Sequence, residues 1–324
     1  MILVTGGTGQ IGSRLLLNLT ENKAYKVRAI YRNTQSLEKI RQLFVKHSDS
    51  GAAQFDTIEW IQADLSNIPA LEKAFEGVTF VFHCAGLISF QPQDFDKLIE
   101  VNVQGTANIV NLSIDFGVKK LCYVSSVATL STLPHTPIDE ENDWNNEDNN
   151  TDYAISKHGA EMEVWRGSQE GLPVVIVNPS VVLGGDFADR GSGLLYKKVA
   201  DGLRYYPAGA TGFVGVDDVV RAMVQLQFSE VAGERFVLNA ENLTYKAVLE
   251  RIAKQLGVKA PTKRVSHQML RFLARLDGVL SFLHLKKRTL TLASADALGT
   301  VTTYNGEKIK KFIDFQYIDI EKDI

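Results

Sequence analysis

Three kinds of side chain in this sequence could together move a proton: the serines Ser125-Ser126, the phenol of Tyr153 and the amine of Lys157. Tyr153 and Lys157 are four positions apart, so a helix places both on one face. A phenol titrates near about 10 in model compounds, too high for exchange at neutral pH. An adjacent ammonium favours the phenolate and lowers that value. With Ser126 holding a substrate oxygen, Tyr153 can then act as general acid or base. Spacing alone is weak evidence, because Tyr304 and Lys308 repeat it. Position separates the pairs. Tyr153 follows a strand-like run that ends in Ser125-Ser126, whereas Tyr304 has no such companion.

A second group of residues could hold phosphate. Thr5-Gly6-Gly7-Thr8-Gly9-Gln10-Ile11-Gly12 follows the apolar run Ile2-Leu3-Val4 and opens an amphipathic helical pattern. Gly6 suits a tight turn, Gly9 the close approach of a pyrophosphate, and Gly12 close packing of helix on strand. The start of the helix then offers unpaired amides to the anion. Gly6, Gly9, Gln10 and Ile11 are accordingly assigned to a dinucleotide.

Arg32 stands 20 positions beyond Gly12, where a site built for NAD carries an acid on the ribose hydroxyls. Its guanidinium suits a 2′-phosphate, with Lys39 as a second cation. NADP(H) is therefore the expected cofactor and NAD(H) the alternative. Asp64-Leu65 follows the next strand, where a carboxylate could accept from an adenine amino group or simply start a helix. Ala85 and Gly86 are small enough for a cofactor to lie against their backbone, and His83 before them reads as a core residue.

These residues need elements to hold them. Periodicity predicts strands over 1–4, 26–31, 57–62, 78–84, 119–125 and 173–178. Helices are predicted between them over 10–22, 36–47, 68–75, 94–116 and 152–170. Such alternation implies an α/β fold, a doubly wound parallel (Rossmann) sheet with ligands at the carboxyl ends of its strands. Residues 1–178 are the expected dinucleotide-binding domain and 179–324 a smaller C-terminal substrate lobe, with 212–240 packing back on the first domain. Further helices are predicted over 194–200, 217–228, 244–256 and 266–285. The acidic stretch 139–152 reads as a solvated surface loop. The segment 269–288 reads as a core-packed amphipathic helix rather than one lying on a membrane.

Composition narrows the classes further. The 324 residues are 45% hydrophobic and 23% charged, the profile of a globular enzyme. A net charge of −3 favours neither nucleic acid nor an anionic membrane, and neither is expected as a partner. Cys84 and Cys122 lie in apolar runs, as reduced core thiols would, which suits a cytoplasmic location. The six histidines show no metal-ligand spacing. The first strand starts at Met1, so no leader is expected, and no apolar run reaches the ~18 residues of a membrane span.

Taken together, these motifs resemble the extended short-chain dehydrogenase/reductase family, also called the NAD-dependent epimerase/dehydratase group. The resemblance extends to Val101-Asn102-Val103-Gln104-Gly105-Thr106, Tyr123-Val124-Ser125-Ser126 and Asn178-Pro179-Ser180-Val181-Val182-Leu183-Gly184. It continues through Val216-Asp217-Asp218-Val219. Val27-Arg28-Ala29-Ile30-Tyr31-Arg32-Asn33 is most similar to the dihydroflavonol-4-reductase-like branch. The resemblance implies Tyr153 as acid/base, Lys157 on the ribose hydroxyls and Ser126 on the carbonyl. It also implies Pro179 and Val182 beside the nicotinamide, and Ile88, Phe90 and Phe187 facing substrate.

The implied activity is NADPH-dependent reduction of a small-molecule aldehyde or ketone. Two alternatives stand beside it. A nucleotide-sugar epimerase or dehydratase typically carries Arg, Tyr and His where this chain has Thr211-Gly212-Phe213-Val214-Gly215-Val216-Asp217. A non-catalytic redox sensor that binds NADP needs none of Ser126, Tyr153 and Lys157. The resemblance also implies a homodimer that pairs the helices over 94–116 and 152–170.

Overall fold

The chain alternates between strand and helix from its first residues, in a computed structural model that describes residues 1–132, 136–187, 191–282 and 290–323. β1 (Ile2–Thr5), α1 (Gln10–Glu21), β2 (Val27–Tyr31), α2 (Thr34–His47), α3 (Gly51–Asp56) and β3 (Glu59–Gln62) come first. α4 (Ile68–Phe75), β4 (Phe80–His83), α5 (Phe95–Leu98) and α6 (Gly105–Asp115) follow. Next are β5 (Lys120–Val124), α7 (Asp152–Gln169), β6 (Val174–Pro179), β7 (Val181–Leu183) and α8 (Gly193–Ala200). Then come β8 (Tyr205–Pro207), β9 (Ala210–Gly215), α9 (Val216–Gln227), β10 (Glu234–Leu238) and β11 (Glu241–Thr244). α10 (Tyr245–Leu256), β12 (Lys263–Val265), α11 (His267–Phe282) and α12 (Leu292–Gly299) follow these.

Seven strands form one sheet in the order β10-β6-β5-β4-β1-β2-β3, with every neighbouring pair parallel. This is the doubly wound α/β fold expected from the alternation. The chain winds outward from β1 through β2 and β3, then returns to the other side of β1 as β4. That reversal opens a crevice at the carboxyl ends of β1 and β4.

Successive residues of a strand point to opposite faces, so each strand feeds two cores. Val4, Cys122, Val124 and Val177 pack with Leu15 of α1, Phe44 of α2 and Met223 of α9. Leu3, Tyr123, Val174 and Ile176 pack with Phe75 of α4, Ile109 of α6 and Val164 of α7. The later part of the chain builds smaller sheets, β11-β9-β7 and β12-β8. Its core gathers Leu183, Tyr196, Phe213 and Leu249. α9 and β10 belong instead to the large sheet: β10 extends it beside β6, and α9 lays Val219, Val220 and Leu226 into its core.

Four segments differ from the sequence expectation. α3 is a short helix with no periodic signal of its own. It crosses α2 so closely that a Cβ on Gly51 would sit 2.0 Å from the Phe44 carbonyl oxygen. The expected single helix over 94–116 is instead a 3₁₀ turn (Pro92–Asp94), α5, a π-helical stretch (Ile99–Gln104) and α6. The extra residue per turn in the π stretch carries Asn102 inward.

The acidic stretch is docked rather than solvated. Asn142 is fully buried and donates to the Ser131 carbonyl (3.2 Å), and Trp144 stacks flat on His158 with centroids 4.3 Å apart. Glu140 accepts from the Val237 amide at 2.7 Å. The outer side of β10 needs backbone partners, and this stretch supplies one.

α11 matches its core-packed expectation on one face only. Leu270 and Ala274 are buried with Ala295, while Met269, Phe272, Leu273 and Leu276 are exposed. The end of that predicted segment, residues 283–288, lies outside the described residues. No helix among the described residues is long and apolar enough to cross a membrane.

Candidate active site

The glycine loop sits at the crevice, and its glycines are required by contact distances. Gly6 has a left-handed φ of 68°, and a Cβ there would lie 2.6 Å from the Ala85 amide nitrogen. A Cβ on Gly12 would lie 2.2 Å from the Gly6 carbonyl oxygen. Gly9 caps α1 without a side chain, and the first turn of α1 carries no acid. The amides and the positive dipole end of this helix therefore face the crevice uncompensated.

Beside them lies a cavity of about 130 Å³ whose lining includes Gly6, Gly9, Arg32, Asp64, Ala85 and Gly86. Leu65 lines it too. Asp64 is raised by burial, but hydrogen bonds from the Ser66 backbone and hydroxyl and the nearby Arg32 charge outweigh this and leave its carboxyl below the usual range. Arg32 is exposed just past β2 and makes no salt bridge among the described residues. This cradle fits a dinucleotide: backbone donors for phosphate, space where side chains would clash, and a cation at the end of β2.

Three assigned residues stand differently. Ile11 packs against the main core. Gln10 reaches across to the Val182 carbonyl (3.4 Å) and the Ser192 hydroxyl (3.3 Å), joining α1 to the second lobe. Lys39 is exposed on α2 and does not line the cavity.

The proton-handling residues meet at the ends of β5 and α7. Thr151 caps α7 by accepting from the Ala154 amide (3.1 Å), which places Tyr153 in the first turn and Lys157 one turn on. The two serines after β5 diverge. Ser125 donates to Glu161 at 2.5 Å, inside the protein. Ser126 accepts from the Ala128 amide and shares a hydrogen bond with Tyr153. Burial pushes Tyr153 up to about 12, opposed by that bond to Ser126. Tyr153 is thus a protonated phenol.

Lys157 does not reach towards that phenol. Its Nζ donates to the Tyr123 hydroxyl (2.5 Å) and the Val124 carbonyl (2.8 Å) beneath. Burial pushes it down to about 7, opposed by Glu161 and Cys84. The expectation that Lys157 lowers the Tyr153 pKa therefore does not describe this arrangement. In a buried site both groups move towards their neutral forms.

Glu161, one turn after Lys157, was not singled out from sequence. It is fully buried and accepts from Ser125, Thr129 (3.0 Å) and Asn178 (2.9 Å) at one oxygen. Trp165 and Arg235 approach the other at 3.4 and 3.5 Å. An acid four residues after Lys157, on the inward face of the same helix, was the available signal. Asn102 is the other: it accepts from the Leu87 amide (2.7 Å) and donates to the Leu87 carbonyl (3.0 Å) and Ser156 (2.9 Å). It thereby holds the loop that carries Ala85 and Gly86.

His83 is neutral, pushed down to about 3 by burial and the Lys157 charge, and sits between Thr5 (2.6 Å) and Thr106 (3.0 Å). It is a core residue. Among the described residues no group of acids, histidines and cysteines could hold a metal ion.

On the substrate side, Phe90 meets Tyr153 edge-on with centroids 5.7 Å apart, and Ile88 is 60% exposed. Pro179 is buried at the end of β6, and Val182 is half-buried on β7. Phe187 departs from its expected role. It is 7% exposed and belongs to the main core, because Asp186 beside it is fastened to α2 through Lys46 and His47. The second Tyr-Lys pair is structural: Lys308 donates to Glu234 (2.7 Å) and the Arg235 carbonyl (3.1 Å).

Fold and crevice define a dinucleotide-binding α/β protein with a Ser-Tyr-Lys group beside the cofactor groove. The chain belongs to the NAD dependent epimerase/dehydratase family, whose model matches residues 2–239. It is similar to sterol demethylase protein B of Methylococcus capsulatus, 28% identical over 89% of this chain and 84% of that protein. It is also similar to tetraketide alpha-pyrone reductase 2 of Arabidopsis thaliana, 30% identical over 76% of this chain and 80% of that one. It is similar as well to a putative dihydroflavonol 4-reductase of Synechocystis, 29% identical over 81% of this chain and 74% of that one. Among solved structures, gox2253 superimposes with a TM-score of 0.76 at 25% identity, over 100% of this chain and 95% of that one. The protein is an NAD(P)-dependent enzyme of this group of oxidoreductases, epimerases and dehydratases.

Proposed function

We propose that this enzyme reduces an aldehyde or ketone with NADPH. The observation that carries the proposal is the protonated phenol of Tyr153, hydrogen-bonded to Ser126 and flanked by Phe90. Arg32 would hold the 2′-phosphate, the free amides of α1 the pyrophosphate, and Asp64 the adenine amino group. Lys157 would hold the ribose hydroxyls. When bound, NADPH supplies the hydride that the carbonyl carbon receives. Ser126 holds the substrate oxygen, and Tyr153 donates its proton to that oxygen as negative charge develops, giving the alcohol. Exposed Ile88 and Phe90 favour an apolar or aromatic carbonyl compound over a sugar nucleotide. The free thiols Cys84 and Cys122 suit a cytoplasmic setting.

The test is a panel of aldehydes, ketones and nucleotide sugars incubated with the purified enzyme. NADPH consumption with an apolar carbonyl compound is the expected result. Epimerisation of a nucleotide sugar without added NADPH would overturn it.

A further inference from the structure

α11 carries three distinct stripes. Leu270, Ala274 and Asp277 face inward and are buried. Asp277 accepts from the Leu290 amide at 2.9 Å, which fastens the helix to the segment leading into α12. Met269 (50% exposed), Phe272 (59%), Leu273 (41%) and Leu276 (47%) form a second, outward stripe at helical spacing. Arg271 and Arg275 form a third stripe along one border of the apolar one. Arg271 pairs with Asp296 at 3.1 Å, whereas Arg275 is exposed with no ion pair among the described residues. Just before the helix, Lys263 and Arg264 are exposed on β12, and Lys263 lies over the ring of half-exposed Tyr205 at 5.7 Å.

We propose that α11 docks this enzyme on an anionic lipid surface. The apolar stripe enters the boundary between headgroups and acyl chains, and Arg264 and Arg275 lie against anionic headgroups. An amphipathic helix of this layout lies in the plane of an interface without crossing it. Charge selects the occupant. The whole chain carries −3, yet the charge on α11 beside this stripe that has no ion pair among the described residues, Arg275, is cationic. A second copy of the chain fits less well, because a two-fold contact would present the same cationic patch to itself.

The buried face of α11 is held by its neighbour. α12 packs on α11 through Ala295 and begins at Leu292. Leu292, Thr291, Phe90 and Thr151 line a cavity of about 230 Å³ beside Tyr153.

The experiment sediments the purified full-length chain, without substrate, with phosphatidylglycerol vesicles and with phosphatidylcholine vesicles. Binding to the first, weaker binding to the second and loss in high salt are expected. Phe272→Ser with Leu276→Ser should lower partitioning to both by about tenfold or more. Arg264→Ala and Arg275→Ala should each lower it about fivefold, on phosphatidylglycerol only. All four positions are exposed and outside the site, so thermal midpoints and NADPH consumption with a water-soluble carbonyl should be unchanged. No sedimentation with either vesicle would overturn the proposal. So would self-association, seen by sedimentation equilibrium and abolished by Phe272→Ser, without vesicle binding. Vesicle binding without carbonyl reduction would overturn the reductase reading and leave the docking face standing.

Discussion

Tyr153→Phe removes one hydroxyl and leaves the α7 cap and Lys157 untouched, so cofactor binding should survive while turnover falls by about 10² or more. Steady-state kinetics on the purified variant check this, with Tyr304→Phe as the control that should leave turnover nearly unchanged. On the proposed reading Lys157 should set the pH profile. Its charged form is favoured only below about 7, whereas the Tyr153 phenol stays protonated up to about 12. In the reducing direction kcat/KM should fall as pH rises through the Lys157 value, with no second loss until far higher. Glu161 raises that value, so Glu161→Gln should move the falling limb to lower pH, and an unmoved limb would mean Glu161 serves only its hydrogen bonds. On the proposed reading Arg32 should decide cofactor preference: charge-assisted bonds of roughly 1.5–3 kcal/mol correspond to about 10- to 100-fold tighter NADPH than NADH. Arg32→Asp should erase or invert that ratio in calorimetric titrations. The i,i+4 spacing, together with a place after the strand that ends in Ser125-Ser126, singled out Tyr153 and Lys157 in sequence. The turn of Lys157 towards Tyr123 was not, because it depends on β5 lying beside β4 with Tyr123 opposite His83.

Periodic elements were the readable ones. β1, α1 and β4–β6 announce themselves by apolar runs and helical stripes, and the order of alternation fixes a parallel sheet before any contact is known. α3 is too short to show a period, and β10 carries the charges Glu234 and Arg235 in its five residues. The π-helical stretch is invisible for another reason. Its residues are ordinary helix formers, and only Leu87 and Ser156, distant in sequence, make the widened turn worthwhile by binding Asn102. Asn102→Ala should therefore unfasten the Gly86–Leu87 loop. The expected loss is about 1–3 kcal/mol for the polar groups left unpaired, read by urea unfolding, with a raised KM for the cofactor. An unchanged urea midpoint would mean that the loop is held by other contacts.

At the scale of the whole molecule, the large sheet and the later lobe are tied together at the crevice. Gln10 of α1 reaches the Val182 carbonyl on β7, while within the large-sheet core Arg14 of the same helix forms a two-pronged pair with Asp217 of α9 at 2.6 and 2.8 Å. Hydrophobic patterning pointed to a second lobe and to the return of 212–240 to the first domain, but not to the register that seats β10 beside β6. That return depends on long-range pairing of Val237 with Asn178. It also gives the acidic stretch a task beyond solubility. A parallel sheet ends in rows of unpaired amides and carbonyls that invite a strand from another molecule. At one margin β3 exposes Glu59 and Gln62, polar side chains that discourage such pairing. At the other, Glu140 occupies the Val237 amide, held there by Arg235 on its own carbonyl. Glu140→Ala should cost about 1–3 kcal/mol for the buried amide, measured by urea unfolding. It should also make light scattering rise with protein concentration. The acidic stretch is then a guard against aggregation, and it denies the seven-stranded sheet an eighth strand taken from a neighbouring molecule.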